Sequence, residues 1–184
     1  MARVLVPLAD GFEEIEAVTT VDILRRAGIE VIVSGLSGTQ VTGSHGITIR
    51  ADRILEDALN EDYDMIVLPG GMPGADNLEN DPRIISMLRD MAERGRFTAA
   101  ICAAPKVLAA AGLLDGKRAT SYPGFLDATR TPGLTVTEAP VEQQDKVITS
   151  RGPGTAMDFA LALIENLLGR ADRDSIERAL QRPG

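Results

Sequence analysis

The 184-residue chain contains one cysteine, one histidine and no tryptophan, and aromatic residues make up 3% of it. Cys102 alone cannot close an intrachain disulfide, and Cys102 with His45 cannot build a zinc site of the Cys/His kind, so no metal or other cofactor is expected. The scarcity of aromatics argues against base-stacking platforms and aromatic-lined sugar grooves, and it suits a small polar substrate. Positive charge is short as well: 19 Lys+Arg against 27 Asp+Glu leaves a net charge of −8, with no basic cluster to offset it. That balance repels phosphate backbones and excludes nucleic acid as an expected partner. No apolar run approaches the about 20 residues that span a bilayer. Met1-Ala2-Arg3 leads into a strand-like segment instead of a signal-peptide core, so no membrane role is expected and the cytoplasm is the expected location.

What is present reads as alternating strands and helices. Arg3-Val4-Leu5-Val6-Pro7-Leu8 is a β-branched run, followed by a turn at Asp10-Gly11 and a helical pattern from Glu13 to Ala27 that stops at Gly28. Glu30 to Ser34 is a second strand, and Val41-Thr42-Gly43 with Gly46-Ile47-Thr48-Ile49 predicts a hairpin around Ser44-His45. Strands are predicted over Asp64 to Leu68 and Phe97 to Ile101, with a helix from Pro82 to Arg94 between them closed by Gly95. The alanine-rich Ala103 to Ala111 predicts a helix that starts beside Cys102 and ends at Gly112. Further strands are read at Arg118 to Tyr122, Leu134 to Val136, Val141 to Gln143 and Val147 to Ser150, and helices at Ala156 to Leu168 and Asp172 to Leu180. Strands apolar on both faces, alternating with helices, predict one α/β domain over residues 1–184. Its expected form is a three-layer sandwich on a mostly parallel sheet, with a small β-hairpin insertion.

In such a sheet ligands collect beyond the carboxyl ends of the strands. Four loops should meet there: Asp10 to Glu14, Pro69-Gly70-Gly71, Cys102-Ala103-Ala104 and Ser150 to Thr155. A cysteine at a strand-to-helix junction among small residues has the setting of a nucleophile elbow, and a helix N-terminus there would lower its thiol pKa. A buried, inert cysteine is an equal reading from position alone. Phe12, Glu16, Thr19 and Ile23 share one stripe of the first helix, while Glu13 and Glu14 point elsewhere. Packed near Cys102, Glu16 would be raised in pKa and protonated; a solvated glutamate at a helix start is the competing and commoner reading. Gly70-Gly71 offers adjacent amides for an oxyanion or is simply a turn. The Gly152-Pro153-Gly154 loop lacks the lysine of a phosphate loop, and no Gly-x-Gly-x-x-Gly follows the first strand. His45 reads as a turn or interface residue.

Gly11-Phe12-Glu13-Glu14-Ile15-Glu16, Val67-Leu68-Pro69-Gly70-Gly71, Ala99-Ala100-Ile101-Cys102-Ala103-Ala104-Pro105 and Thr149-Ser150-Arg151-Gly152-Pro153-Gly154-Thr155 together resemble the ThiJ/PfpI superfamily. The similarity is greatest to the branch of the Parkinson disease protein deglycase and its bacterial relatives. The resemblance implies a flavodoxin-like homodimer with an oxidation-sensitive elbow cysteine at Cys102 and a protonated glutamate at Glu16. It also implies oxyanion donors at the amides of Gly70, Gly71 and Ala103, and a pocket to which Tyr122 and Pro153 belong. The dimer of the family would bring Arg26 and the hairpin tip, here His45, towards that pocket. Members with a fuller Cys/His/Glu set carry a histidine after the next strand, where this chain has Ser121-Tyr122-Pro123. A phenol, with a pKa of about 10, is no substitute base at neutral pH.

The function so implied is cysteine-dependent stress protection: a glutathione- and metal-independent glyoxalase III, or a protein deglycase, acting on methylglyoxal or its early amino and thiol adducts. The rival expectation is a redox-sensing, chaperone-like protein in which Cys102 oxidises to a sulfinate without turnover.

Overall fold

A computed structural model describes residues 1–182, so the last two residues of the expected 1–184 domain lie outside the described part. The strands are β1 (Arg3–Leu8), β2 (Glu30–Gly35), β3 (Gln40–Thr42), β4 (Thr48–Arg50), β5 (Arg53–Ile54), β6 (Met65–Leu68), β7 (Phe97–Ile101), β8 (Arg118–Thr120), β9 (Thr135–Thr137), β10 (Val141–Gln144) and β11 (Val147–Ser150). The helices are α1 (Glu14–Arg26), α2 (Leu55–Ala58), α3 (Gly74–Glu79), α4 (Pro82–Glu93), α5 (Pro105–Ala110), α6 (Ala156–Leu168) and α7 (Arg170–Ala179).

Seven strands form the central sheet in the order β10-β11-β7-β6-β1-β2-β5, and β10 with β11 is its antiparallel pairing. Side chains alternate between two cores, as the pleat requires. Val4, Val6, Leu8, Met65, Val67, Ala99 and Ile101 face a core closed by Ala17, Ile23 and Leu24 of α1 and Phe159, Leu163 and Ile164 of α6. Leu5, Ile66, Leu68 and Ala100 face the other, closed by Leu78 of α3, Ile84, Leu88 and Met91 of α4, and Val107 and Leu108 of α5. The flavodoxin-like three-layer expectation holds. The predicted hairpin is present as β3–β4, paired Gln40 with Arg50 and Thr42 with Thr48, and it stands outside the main sheet.

Several boundaries differ from the sequence reading. The alanine-rich helix starts at Pro105, not beside Cys102, because Cys102 to Ala104 form a turn. Strand β8 ends at Thr120, and with β9 it makes a separate parallel pair. Thr20, not Thr19, joins Glu16 and Ile23 on the buried stripe of α1. The short elements β5, α2 and α3 have no counterpart in the sequence reading: they are two, four and six residues long, too short to establish a period. Among the described residues no helix is long and apolar enough to cross a membrane.

Candidate functional site

β7 ends at Ile101 and delivers Cys102 to the carboxyl edge of the sheet. Cys102 has φ +63°, a left-handed conformation that costs an L-residue about 1–2 kcal/mol. Neighbouring loops enforce it. The Cys102 N–H donates to Ser150 O at the end of β11 (3.0 Å), and the Tyr122 N–H donates to Cys102 O (2.8 Å). With both backbone groups committed, the side chain turns towards the amides of Gly71 and Ala103, which favour a charge on the sulfur. Cys102 is 9% exposed, so the sulfur lies at the margin of the core.

Glu16 stands in the first turn of α1 and is fully buried. Its Oε2 accepts the Gly70 N–H at 2.8 Å, its Oε1 lacks a conventional donor, and the carboxyl faces Cys102. Burial pushes Glu16 up to about 7, against the hydrogen bonds from Cys102 and Gly70. Burial likewise pushes the Cys102 thiol up to about 12, aided by the charge and hydrogen bond of Glu16 and opposed by the Ala103 and Gly71 amides. This corrects the expected lowering of the thiol pKa. Helix α5 begins at Pro105, three residues beyond the cysteine, and the charge that raises the thiol is the Glu16 carboxylate. Cys102 and Glu16 each appear among the causes of the other's shift, so they titrate as a coupled pair.

The expected oxyanion donors separate into two roles. The Gly70 amide is occupied by Glu16, so it holds the acid in place; Gly71 and Ala103 are the amides at the sulfur. Gly70 also has to be glycine, since a Cβ there would lie 2.7 Å from Cys102 Cβ and 2.9 Å from Glu16 Oε2. Gly71 has φ +88°, and a Cβ on it would stand 2.3 Å from the Glu13 nitrogen. The Glu13 N–H in turn donates to Gly70 O at 2.9 Å, which ties the first loop to the second.

Tyr122 is half exposed and lies beside Cys102 through its backbone bond, and a Cβ at Gly152 would come 3.4 Å from its ring. The Gly152–Pro153 turn thus adjoins the same mouth, and Pro153 opens a single 3-10 turn ahead of α6. Arg26 does not reach the site within the protomer. It pairs with Asp22 at 2.6 Å, ten residues along α1 from Glu16, which is about 15 Å of helix. His45 is not at the sulfur either: its Nδ1 lies 3.0 Å from Glu14 Oε2. Glu13 and Glu14, read as pointing away, are in fact buried, because the β3–β4 tip folds over them. The signal for that contact is 31 residues away in sequence, so helical periodicity carries no trace of it. A depression of about 520 Å³, lined by Asp10, Gln40, Asn77 and Asp81 among others, holds neither Cys102 nor Glu16. The convergence of nucleophile, buried acid and aimed amides marks the site better than volume does.

Residues 2–166 match the DJ-1/PfpI family. The chain is 41% identical over 180 residues to Protein DJ-1 homolog A of Arabidopsis thaliana, covering 96% of this chain and 46% of that protein, so it spans about half the length of that relative. It is 37% identical over 179 residues to Glutathione-independent glyoxalase DJR-1.2 of Caenorhabditis elegans, covering 97% of this chain and 95% of that protein. The structure of oxidized Toxoplasma gondii DJ-1 superposes with a TM-score of 0.92 at 39% identity, covering 100% of both chains. Sheet order, cysteine turn and sequence agree: the chain belongs to the DJ-1/PfpI family.

Proposed function

We propose that the protein is a cysteine-dependent, glutathione-independent glyoxalase that converts methylglyoxal to lactate, with early methylglyoxal adducts of amino and thiol groups as further substrates. One observation carries the reading: a strained cysteine whose sulfur meets two backbone amides and a buried carboxyl. The similarity to a C. elegans protein named as a glutathione-independent glyoxalase supports it. In the reaction Glu16 accepts the thiol proton while Cys102 Sγ bonds to the aldehyde carbon, and the Gly71 and Ala103 amides stabilise the oxyanion of the hemithioacetal. Glu16 returns that proton to the oxyanion and, again a carboxylate, moves the proton of the former aldehyde carbon to its neighbour while the hydroxyl proton passes to the neighbouring oxygen, which leaves a lactoyl thioester. Water cleaves that thioester, releasing lactate and restoring the thiol and carboxyl.

Lactate formation from methylglyoxal without glutathione tests the reading. Wild type should turn over, Cys102→Ser should not, and Glu16→Gln should lose at least about 10²-fold. A wild-type rate equal to buffer would overturn it. The working form we propose is one 1–184 domain acting as a homodimer in the cytoplasm, in which a second copy would supply Arg26 and the hairpin tip to the pocket mouth. A second reading rests on the same amides. Gly71, Ala103 and a protonated Glu16 make three donors for the oxygens of a Cys102 sulfinate, so peroxide treatment giving a stable +32 Da species (about two oxygens) in a protein without turnover would favour a redox sensor.

A further inference from the structure

Glu13 and Glu14 open α1 at its N-cap and first position. Although adjacent acids, they are 8% and 5% exposed, and carboxylates are almost never that buried without a cationic or ligating partner. The tip of the β3–β4 hairpin covers them with a different type of donor, the imidazole of His45, and with the Ser44 hydroxyl. Glu14 Oε1 is fixed by the N–H groups of His45 (2.7 Å) and Ile47 (3.3 Å), which aims its Oε2 inward. His45 Nδ1 lies 3.0 Å from that Oε2 and 3.5 Å from Glu13 Oε2. Ser44 Oγ stands 3.5 Å from Glu13 Oε2, 3.4 Å from Glu14 Oε2 and 3.1 Å from His45 Nδ1. The hairpin can come this close because residue 43 is glycine: a Cβ there would lie 2.3 Å from the Glu14 carboxyl carbon.

We propose that Glu13, Glu14 and His45, with Ser44 as a neutral fourth donor, bind a divalent transition-metal ion of the zinc type. Donors around an ion at about 2.1 Å are separated by about 3.0 Å on an octahedral edge and about 3.4 Å on a tetrahedral one. The distances above fall on that scale, and the ligating atoms of Glu13, Glu14 and His45 all lie within 4.8 Å of one another. Two carboxylates balance a divalent charge, and the imidazole selects a transition metal over calcium or magnesium. The ion takes the place of the proton between His45 Nδ1 and Glu14 Oε2. The His45 side chain is 70% exposed, which gives the ion an entry path and room for water at the remaining positions. Bound there, it joins the hairpin to the start of α1 beside the Glu13–Gly70 hydrogen bond. The site uses neither Cys102 nor Glu16.

Zinc chloride titrated calorimetrically into the full-length protein, with the metal retained after dialysis measured by mass spectrometry, tests the proposal. Wild type and Cys102→Ser should each bind one ion per chain, and His45→Ala and Glu13→Gln should weaken binding at least tenfold. Because the His45 ring is exposed, His45→Ala decides the matter even if an acid variant fails to fold. Wild type retaining no stoichiometric zinc, affinity unchanged in His45→Ala, or binding lost in Cys102→Ser would each overturn it.

Discussion

Glu16 is a carboxyl that the fold holds where it resists ionisation, and this has consequences for both rate and stability. As the base that takes the thiol proton it must be ionised, so kcat/KM for methylglyoxal should rise with pH through about 7 and level off above. A profile inflecting instead at the ordinary cysteine value of about 8.5 would place the titration on sulfur. For stability the sign is the opposite. The folded pKa is raised from 4.5, so the contribution of Glu16 is fully present below pH 4.5 and is lost as pH rises through about 7. Such a shift corresponds to about 3 kcal/mol. The advantage of Glu16→Gln over wild type in urea unfolding should therefore be near zero at pH 4 and approach that size at pH 8. Gly70 gives a second test at this scale. Gly70→Ala brings a methyl into Cys102 Cβ and the Ala103 nitrogen, so about 1–3 kcal/mol of stability should be lost, together with most of the turnover.

At the scale of the element, termini and periods were legible where local chemistry writes them. Helix α4 begins as read because Asp81 caps it, accepting the Arg83 N–H at 2.9 Å, and Pro82 occupies the first turn. It ends beside Gly95 at φ +67°. Asp81→Ala removes the cap and the Arg83 ion pair together; a loss of about 1–2 kcal/mol is expected, seen as a lower urea midpoint at unchanged m-value. The start of α5 is set by the opposite kind of cause. Alanine propensity favours a helix from Ala103, but the hydrogen bonds of Cys102 to Ser150 and Tyr122 hold a left-handed turn there, and the helix begins only at Pro105. A tertiary constraint overrode a propensity of tenths of a kcal/mol per residue.

At the scale of the whole molecule, α1 and α6 share one layer and leave Ile15 56%, Val18 49% and Met157 45% exposed. Exposed apolar side chains on these two helices suit the proposed homodimer. Sedimentation at micromolar concentration should show a dimer, and Val18→Glu should shift it towards monomer without unfolding it. A monomeric wild type would remove the proposed route for a second copy's Arg26 to the site.

The amino-acid order alone determined every strand but β5, the longer helices and the parallel layering, because period, caps and glycine stops are local and repeat within a few residues. Only the tertiary structure decided how the groups of the site are used. It gave the Gly70 amide to Glu16, set Glu16 against Cys102, and brought His45 onto two buried acids. Each of these depends on which segments, 31 and 54 residues apart in order for the His45–Glu14 and Gly70–Glu16 bonds, come within hydrogen-bonding distance, and on the low dielectric their packing creates. Neither is encoded in any single window of the chain.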